Sequence, residues 1–101
     1  MTLREWEKKR RLSHRITILK AVAHPVRLCI IDALAAGPKH VNALAENLEV
    51  PQAIVSQQLR ILRMSKVVEV ERKNGLAVYH LAEVHLRELL KCMDRCCALE
   101  S

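Results

Sequence analysis

The stretch Leu48–Val68, "LEVPQAIVSQQLRILRMSKVV", decides how this chain folds. Val55, Leu59 and Leu62 recur at the spacing of one helix face. At about 100° per residue, Gln52, Ser56 and Arg60 fall on another face, with Gln57 beside them. A helix buried all round has no use for that polar row. Glutamine can bond an adenine edge through both amide atoms, serine can bond a base or a phosphate, and arginine can reach guanine or phosphate. The row therefore reads as a surface for the DNA major groove, although a polar face is common on any exposed helix.

The flanking sequence sharpens that reading. Upstream, Val41, Leu44, Ala45 and Leu48 mark a short helix, so the two helices form a helix-turn-helix over about residues 41–65. Downstream, the period switches from helical to alternating in "VVEVERKNGLAVYHL", residues 67–81. Asn74-Gly75 supplies the two positive-φ residues of a tight hairpin turn, and Arg72 and Lys73 make its tip basic. A helix-turn-helix followed by a basic-tipped two-stranded ribbon is a winged helix-turn-helix.

The outer elements follow from start and stop signals. Thr2 and Glu5 have capping-box spacing, and Leu12, Ile16, Leu19 and Ala23 share a stripe, so a first helix is expected to about Val22. His24-Pro25 breaks it and Pro25 opens a second helix to Ala36, which carries Leu28, Ile31, Leu34 and Ala35 inward. Gly37-Pro38 ends that helix. A last helix over about residues 83–99 buries Leu86, Leu89, Leu90 and Met93. The expected fold is mainly α, with five helices and a two-stranded β-wing, in one domain over residues 1–101.

Composition agrees with this outline. The only aromatic residues are Trp6 and Tyr79, so the core must be aliphatic. The net charge is +6, and it is unevenly spread: residues 1–27 carry eight Lys and Arg against two Glu, residues 39–73 six against four, and the remainder three against five. A basic chain suits a polyanionic partner. The run "EKKRRLSHR" (Glu7–Arg15) also has a plainer reading as a solvated face. No run of about 18 apolar residues is present to span a membrane, and the N-terminus lacks the apolar block of a secretory signal, so a cytoplasmic location is expected. The four cysteines then read as thiols rather than structural disulfides. With two glycines, no phosphate loop and no convincing nucleophile, base and orienter set, the chain is not read as an enzyme.

"AHPVRLCIIDAL", "ALAENLEVPQAIVSQQLRILRMSKVV" and "ERKNGLAVYHL", in that order, resemble the ArsR/SmtB family of bacterial repressors over residues 16–98. The resemblance implies a homodimer through the first and last helices. It also implies repression of a nearby operon, relieved when a metal, metalloid or oxidant reaches a sensor. The family's DNA-contacting positions fall on Gln52, Ala53, Ser56 and Gln57, with Ala53 offering only a methyl. In this sequence Pro51 stands where members often carry a capping Ser, and Lys66 where a Gly commonly ends the helix. The third-helix cysteine pair that binds arsenite or lead in some members is missing from "HVNALAENL". Glu83 and His85 match half of a last-helix zinc site, but Cys96 and Leu99 stand where its second His and Glu belong, so that site is broken.

"KCMDRCC" (Lys91–Cys97) is the sharper sensor candidate. Cys92 and Cys96 share a helix face, and Cys97 adjoins Cys96. Thiolates suit soft ions, so the three together could hold arsenite, antimonite or another thiophilic ion as inducer, with no obligatory cofactor. They could instead form a reversible disulfide or polysulfide bridge under oxidants or reactive sulfur. A third reading takes Cys96 and Cys97 as small buried residues extending the apolar stripe. Cys29 reads first as a buried core residue, with a role as redox partner of Cys96 or Cys97 as the alternative. In thiol-sensing relatives the second-helix cysteine lies further on, at the position of Asp32 here. The expected function is a sequence-specific repressor that binds an inverted-repeat operator in double-stranded DNA as a homodimer. A thiol-reactive inducer would release it; the alternatives are a constitutive winged-helix DNA- or RNA-binding protein without a sensor, and a dimerisation or anti-regulator protein that has lost DNA binding.

Overall fold

The structure, a computed structural model, describes residues 1–82 and 86–100, with the side chains of 96–100 excepted. Among the described residues five helices are present: α1 (Leu3–Val22), α2 (Pro25–Ala35), α3 (Val41–Leu48), α4 (Gln52–Met64) and α5 (Leu86–Glu100). Three strands accompany them: β1 (Lys39–His40), β2 (Val68–Lys73) and β3 (Leu76–Leu81). Glu83 and His85, the half zinc site of the sequence reading, lie outside the described residues.

Local chemistry sets the helix ends. Thr2 and Glu5 form the reciprocal capping box: the Glu5 amide donates to Thr2 Oγ1 at 3.2 Å, and the Thr2 amide to Glu5 Oε2 at 2.8 Å. Two histidines cap the helices that follow them. The Val26 amide donates to His24 Nδ1 and the Asn42 amide to His40 Nδ1, each at 3.2 Å. Pro51 opens α4 without a side-chain cap, and its carbonyl accepts from the Ile54 and Val55 amides. At the other end of α4, the Lys66 amide donates to the Arg63 carbonyl and the Val67 amide to the Leu62 carbonyl. This is a Schellman ending with Lys66 at φ 61°, so lysine itself takes the left-handed position that glycine fills more easily.

The wing is a three-stranded antiparallel sheet in the order β1-β3-β2, where the sequence predicts a two-stranded ribbon. Two residues are too few for alternation to reveal β1, whose Lys39 and His40 pair with Tyr79 and Val78. The hairpin register runs from Val68 opposite Leu81 to Lys73 opposite Leu76, and Asn74 and Gly75 turn it at φ 52° and 79°.

The core sits between α2, α3, α4 and the base of the wing: Ile30, Ile31, Leu34, Leu44, Val55, Leu59, Leu62, Val67 and Val68 are all buried. Among the described residues no polar or charged side chain is buried. In α2 the inward face is turned from the predicted one: Ile30 is fully enclosed, while Leu28 and Ala35 are only half-buried. The expected stripe on α1 does not enter this core, since Leu12, Ile16 and Leu19 are 55%, 43% and 55% exposed and Ala23 is exposed. Only Ala21 and Val22, at the end of α1, are buried. On α5, Leu86 is buried and Leu90 half-buried, whereas Leu89 and Met93 are exposed. The stripes predicted on the two outer helices are thus largely unmet within one chain.

Candidate nucleic-acid interface

The candidate reading surface is built on α4. Val55, Leu59 and Leu62 have no solvent exposure, which locks that helix's orientation against α2 and α3. Locking one face fixes the others. Gln52, Ala53, Ser56, Gln57 and Arg60 are all exposed, as a groove-reading row requires. Two apolar residues, Ile54 and Met64, are also exposed on this helix.

The two adjacent glutamines have different fates. Gln57 points outward, whereas Gln58 is half-buried and its Oε1 accepts from Arg27 Nε at 2.9 Å. Arg27 Nη1 also donates to the Ala21 carbonyl at 3.0 Å. One guanidinium on α2 therefore ties the last turn of α1 to the middle of α4. The sequence reading missed this role for Arg27. The only signal available was an arginine in an otherwise apolar helix segment.

Arg72 and Lys73 stand exposed at the wing tip. Lys73 Nζ lies 3.9 Å from Glu71 Oε2, with both side chains well solvated, so that pair leaves the lysine available. Deeper in the wing, His80 Nε2 is 3.2 Å from Glu69 Oε2 across the strands.

Of the thiols proposed from the sequence as a sensor, Cys92 is exposed on α5. Cys96 and Cys97 belong to the same helix, but their side chains lie outside the described residues. Cys29 is exposed, which corrects its reading as a core residue. The turned face of α2 explains this. Ile30, Ile31 and Leu34 converge on the core, and Cys29 projects from the far side with Pro25, Asp32 and Ala36. Among the described residues, no group of three His, Cys, Asp or Glu side chains is placed to hold a metal ion. No helix among them is long and apolar enough to cross a membrane.

Residues 24–70, the core of this arrangement, match the family model described as bacterial regulatory protein, arsR family. Over 93 residues the chain is 33% identical to the biofilm growth-associated repressor of Xylella fastidiosa, covering 92% of this chain and 80% of that one. The chain belongs to the ArsR family. A second relative, the HTH-type transcriptional repressor SmtB of Mycobacterium tuberculosis, is 40% identical over 73 residues. That match covers 72% of this ArsR-family chain and 54% of SmtB, so the chain spans about half the length of that relative. Among solved structures, it is similar to the homodimeric winged helix-turn-helix DNA-binding domain of a possible ArsR-family transcriptional regulator from Mycobacterium bovis. The TM-score there is 0.83 at 26% identity, over 97% of this chain and 88% of that one. The ArsR family is one of DNA-binding transcription regulators, not of enzymes.

Proposed function

We propose that this chain is a homodimeric transcriptional repressor that binds an inverted-repeat operator and leaves it when a thiophilic metal or metalloid, such as arsenite or antimonite, occupies its last-helix thiols. One observation carries the DNA half of this reading: an exposed polar row on α4 backed by a fully buried apolar one, beside a basic-tipped wing. Gln52, Ser56, Gln57 and Arg60 face base edges and phosphates, Ala53 offers its methyl to a thymine, and Arg72 and Lys73 hold flanking phosphates. The exposed stripes on α1 and α5 supply a dimer surface, as the homodimeric Mycobacterium bovis relative suggests. Two copies related by a two-fold then present two reading helices to successive major-groove faces.

The sensing half rests on Cys92, Cys96 and Cys97, which crowd one end of a helix whose apolar side is open to a partner. Three thiolates at this sequence spacing would suit the coordination of a soft ion. Capture there changes how the two α5 helices pack, and the spacing of the reading helices changes with it. A coupling of about 1–3 kcal/mol corresponds to about a 5–150-fold loss of operator affinity, enough for a switch. Exposure of Cys29 favours a second reading, in which an oxidant takes two electrons and two protons from a pair of thiols and leaves a disulfide, or a reactive sulfur species does so while also donating the sulfane sulfur atoms of a polysulfide bridge.

The test is operator release by arsenite, antimonite, cadmium, peroxide and polysulfide, measured for the parent and a Cys92→Ser, Cys96→Ser double variant. The parent should be released by the soft ions and the variant should stay bound. A variant that responds to every inducer as the parent does rules out these thiols as sensor and turns attention to Cys29.

A further inference from the structure

The first helix carries a row whose basic part takes no place in the core. Arg4, Lys8, Arg11, Arg15, Ile18 and Val22 follow one another at alternating spacings of four and three residues, so they form a single row along α1. The row changes character part-way. At its C-terminal end Val22 is buried and Ile18 half-buried, packed on a body formed by α2 and α4, which α1 touches directly. From Arg15 back to Arg4, where residues 1–17 are all exposed, the same row is entirely basic. Among the described residues none of these four cations is paired with a carboxylate. The apolar stripe of Leu12, Ile16 and Leu19 is centred about a quarter-turn to one side of the row, with Lys8 at its border.

A helix whose inward row turns basic once it passes the edge of its own domain is suited to a polyanion lying beyond that edge. The apolar end of the row packs on the body that carries α4, and α1 touches α4 directly, so the polyanion expected at that body is the duplex that α4 would read. From Arg4 to Arg15 the row extends about 16 Å, close to five base steps of duplex.

We infer that the basic row of α1, Arg4, Lys8, Arg11 and Arg15, is a second DNA-binding surface that grips phosphates of the duplex flanking the sequence read by α4. This rests on the operator-binding reading above, and it adds contacts that are blind to sequence. Such contacts raise affinity, lengthen the footprint and steepen salt dependence without altering base preference.

The experiment uses the full chain and an operator selected from a random-sequence duplex library. That operator is prepared once trimmed to its selected bases and once extended by about one helical turn, roughly 10 bp, on each side. The comparison protein is the variant Arg4→Gln, Lys8→Gln, Arg11→Gln, Arg15→Gln, since glutamine keeps helix propensity while removing charge. The parent should bind the extended duplex at least tenfold more tightly than the trimmed one. Its log affinity against log salt should steepen by about 0.9 for each added phosphate contact. The variant should bind both duplexes alike, with its base preference and dimer content unchanged. Hydroxyl-radical footprinting of the parent needs no variant and should show flanking protection. The inference is overturned if the parent gains nothing from the added duplex and leaves the flanks unprotected, or if the variant keeps the full gain. It is also overturned if the variant's loss follows a weakened dimer, for the row would then serve the partner chain. Failure to select any sequence at all would instead sink the operator-binding reading.

Discussion

Gln57 and Gln58 are chemically identical neighbours, and only their direction separates them. Gln58 is held by Arg27 from 31 residues away in the chain, while Gln57 has solvent in front of it. Replacing Gln57 by alanine should therefore cost specific operator binding about 1–3 kcal/mol and leave non-specific binding nearly unchanged. Equal losses on operator and random duplex would remove Gln57 from the reading face. At the far end of the same helix, Lys66 holds a left-handed conformation that disfavours side chains by about 1–2 kcal/mol. Lys66→Gly should relieve that strain, less the extra chain entropy of glycine, and raise stability by up to about 1 kcal/mol in urea unfolding. A lowered midpoint would mean that the lysine side chain contributes more than its backbone costs. These residue-level facts divide sharply in how legible they were. Outward positions on α4 follow from periodicity alone, because the buried Val55, Leu59 and Leu62 determine what faces away. The capping of α2 and α3 by His24 and His40, the Arg27 link and the exposure of Cys29 depend on side-chain geometry or on where a helix meets a distant partner, and no local pattern encodes either.

Elements were legible in proportion to their length and punctuation. The capping box, His24-Pro25, Gly37-Pro38 and Asn74-Gly75 each act within a few residues, so the turns and helix starts they mark stand close to where the sequence puts them. Strand β1 left no trace because its two residues are recruited by β3 rather than by any pattern of their own. The wing that results is anchored at its base by buried Val67 and Val68 and solvated at its tip. A solvated, basic tip contributes charge rather than shape. Arg72→Ala and Lys73→Ala should thus weaken binding to all sequences alike and flatten the salt dependence by about 0.9 per lost phosphate contact. Salt titrations on operator and random duplexes check this, and a loss confined to the operator would make the wing a base reader instead.

The whole molecule is organised around surfaces that one chain leaves open. Leu12, Ile16 and Leu19 on α1 and Leu89 and Met93 on α5 are spaced for burial yet exposed. Their helical periodicity was plain in the sequence, but which surface would cover them was not, because periodicity says that a face is apolar without saying whether its partner is in the same chain. In the proposed homodimer both stripes would be buried and the distance between two copies of α4 fixed, which would make assembly and operator recognition a single property. An Ile16→Glu variant, which places a charge in the stripe, should be monomeric and should lose operator affinity with it. The most direct measurement is the number of chains bound per selected operator, read by sedimentation of the complex for the parent and for Ile16→Glu. Two parent chains on each duplex and loss of the specific complex in the variant are the expected outcome. One chain per duplex, bound as tightly by the monomeric variant as by the parent, would contradict it.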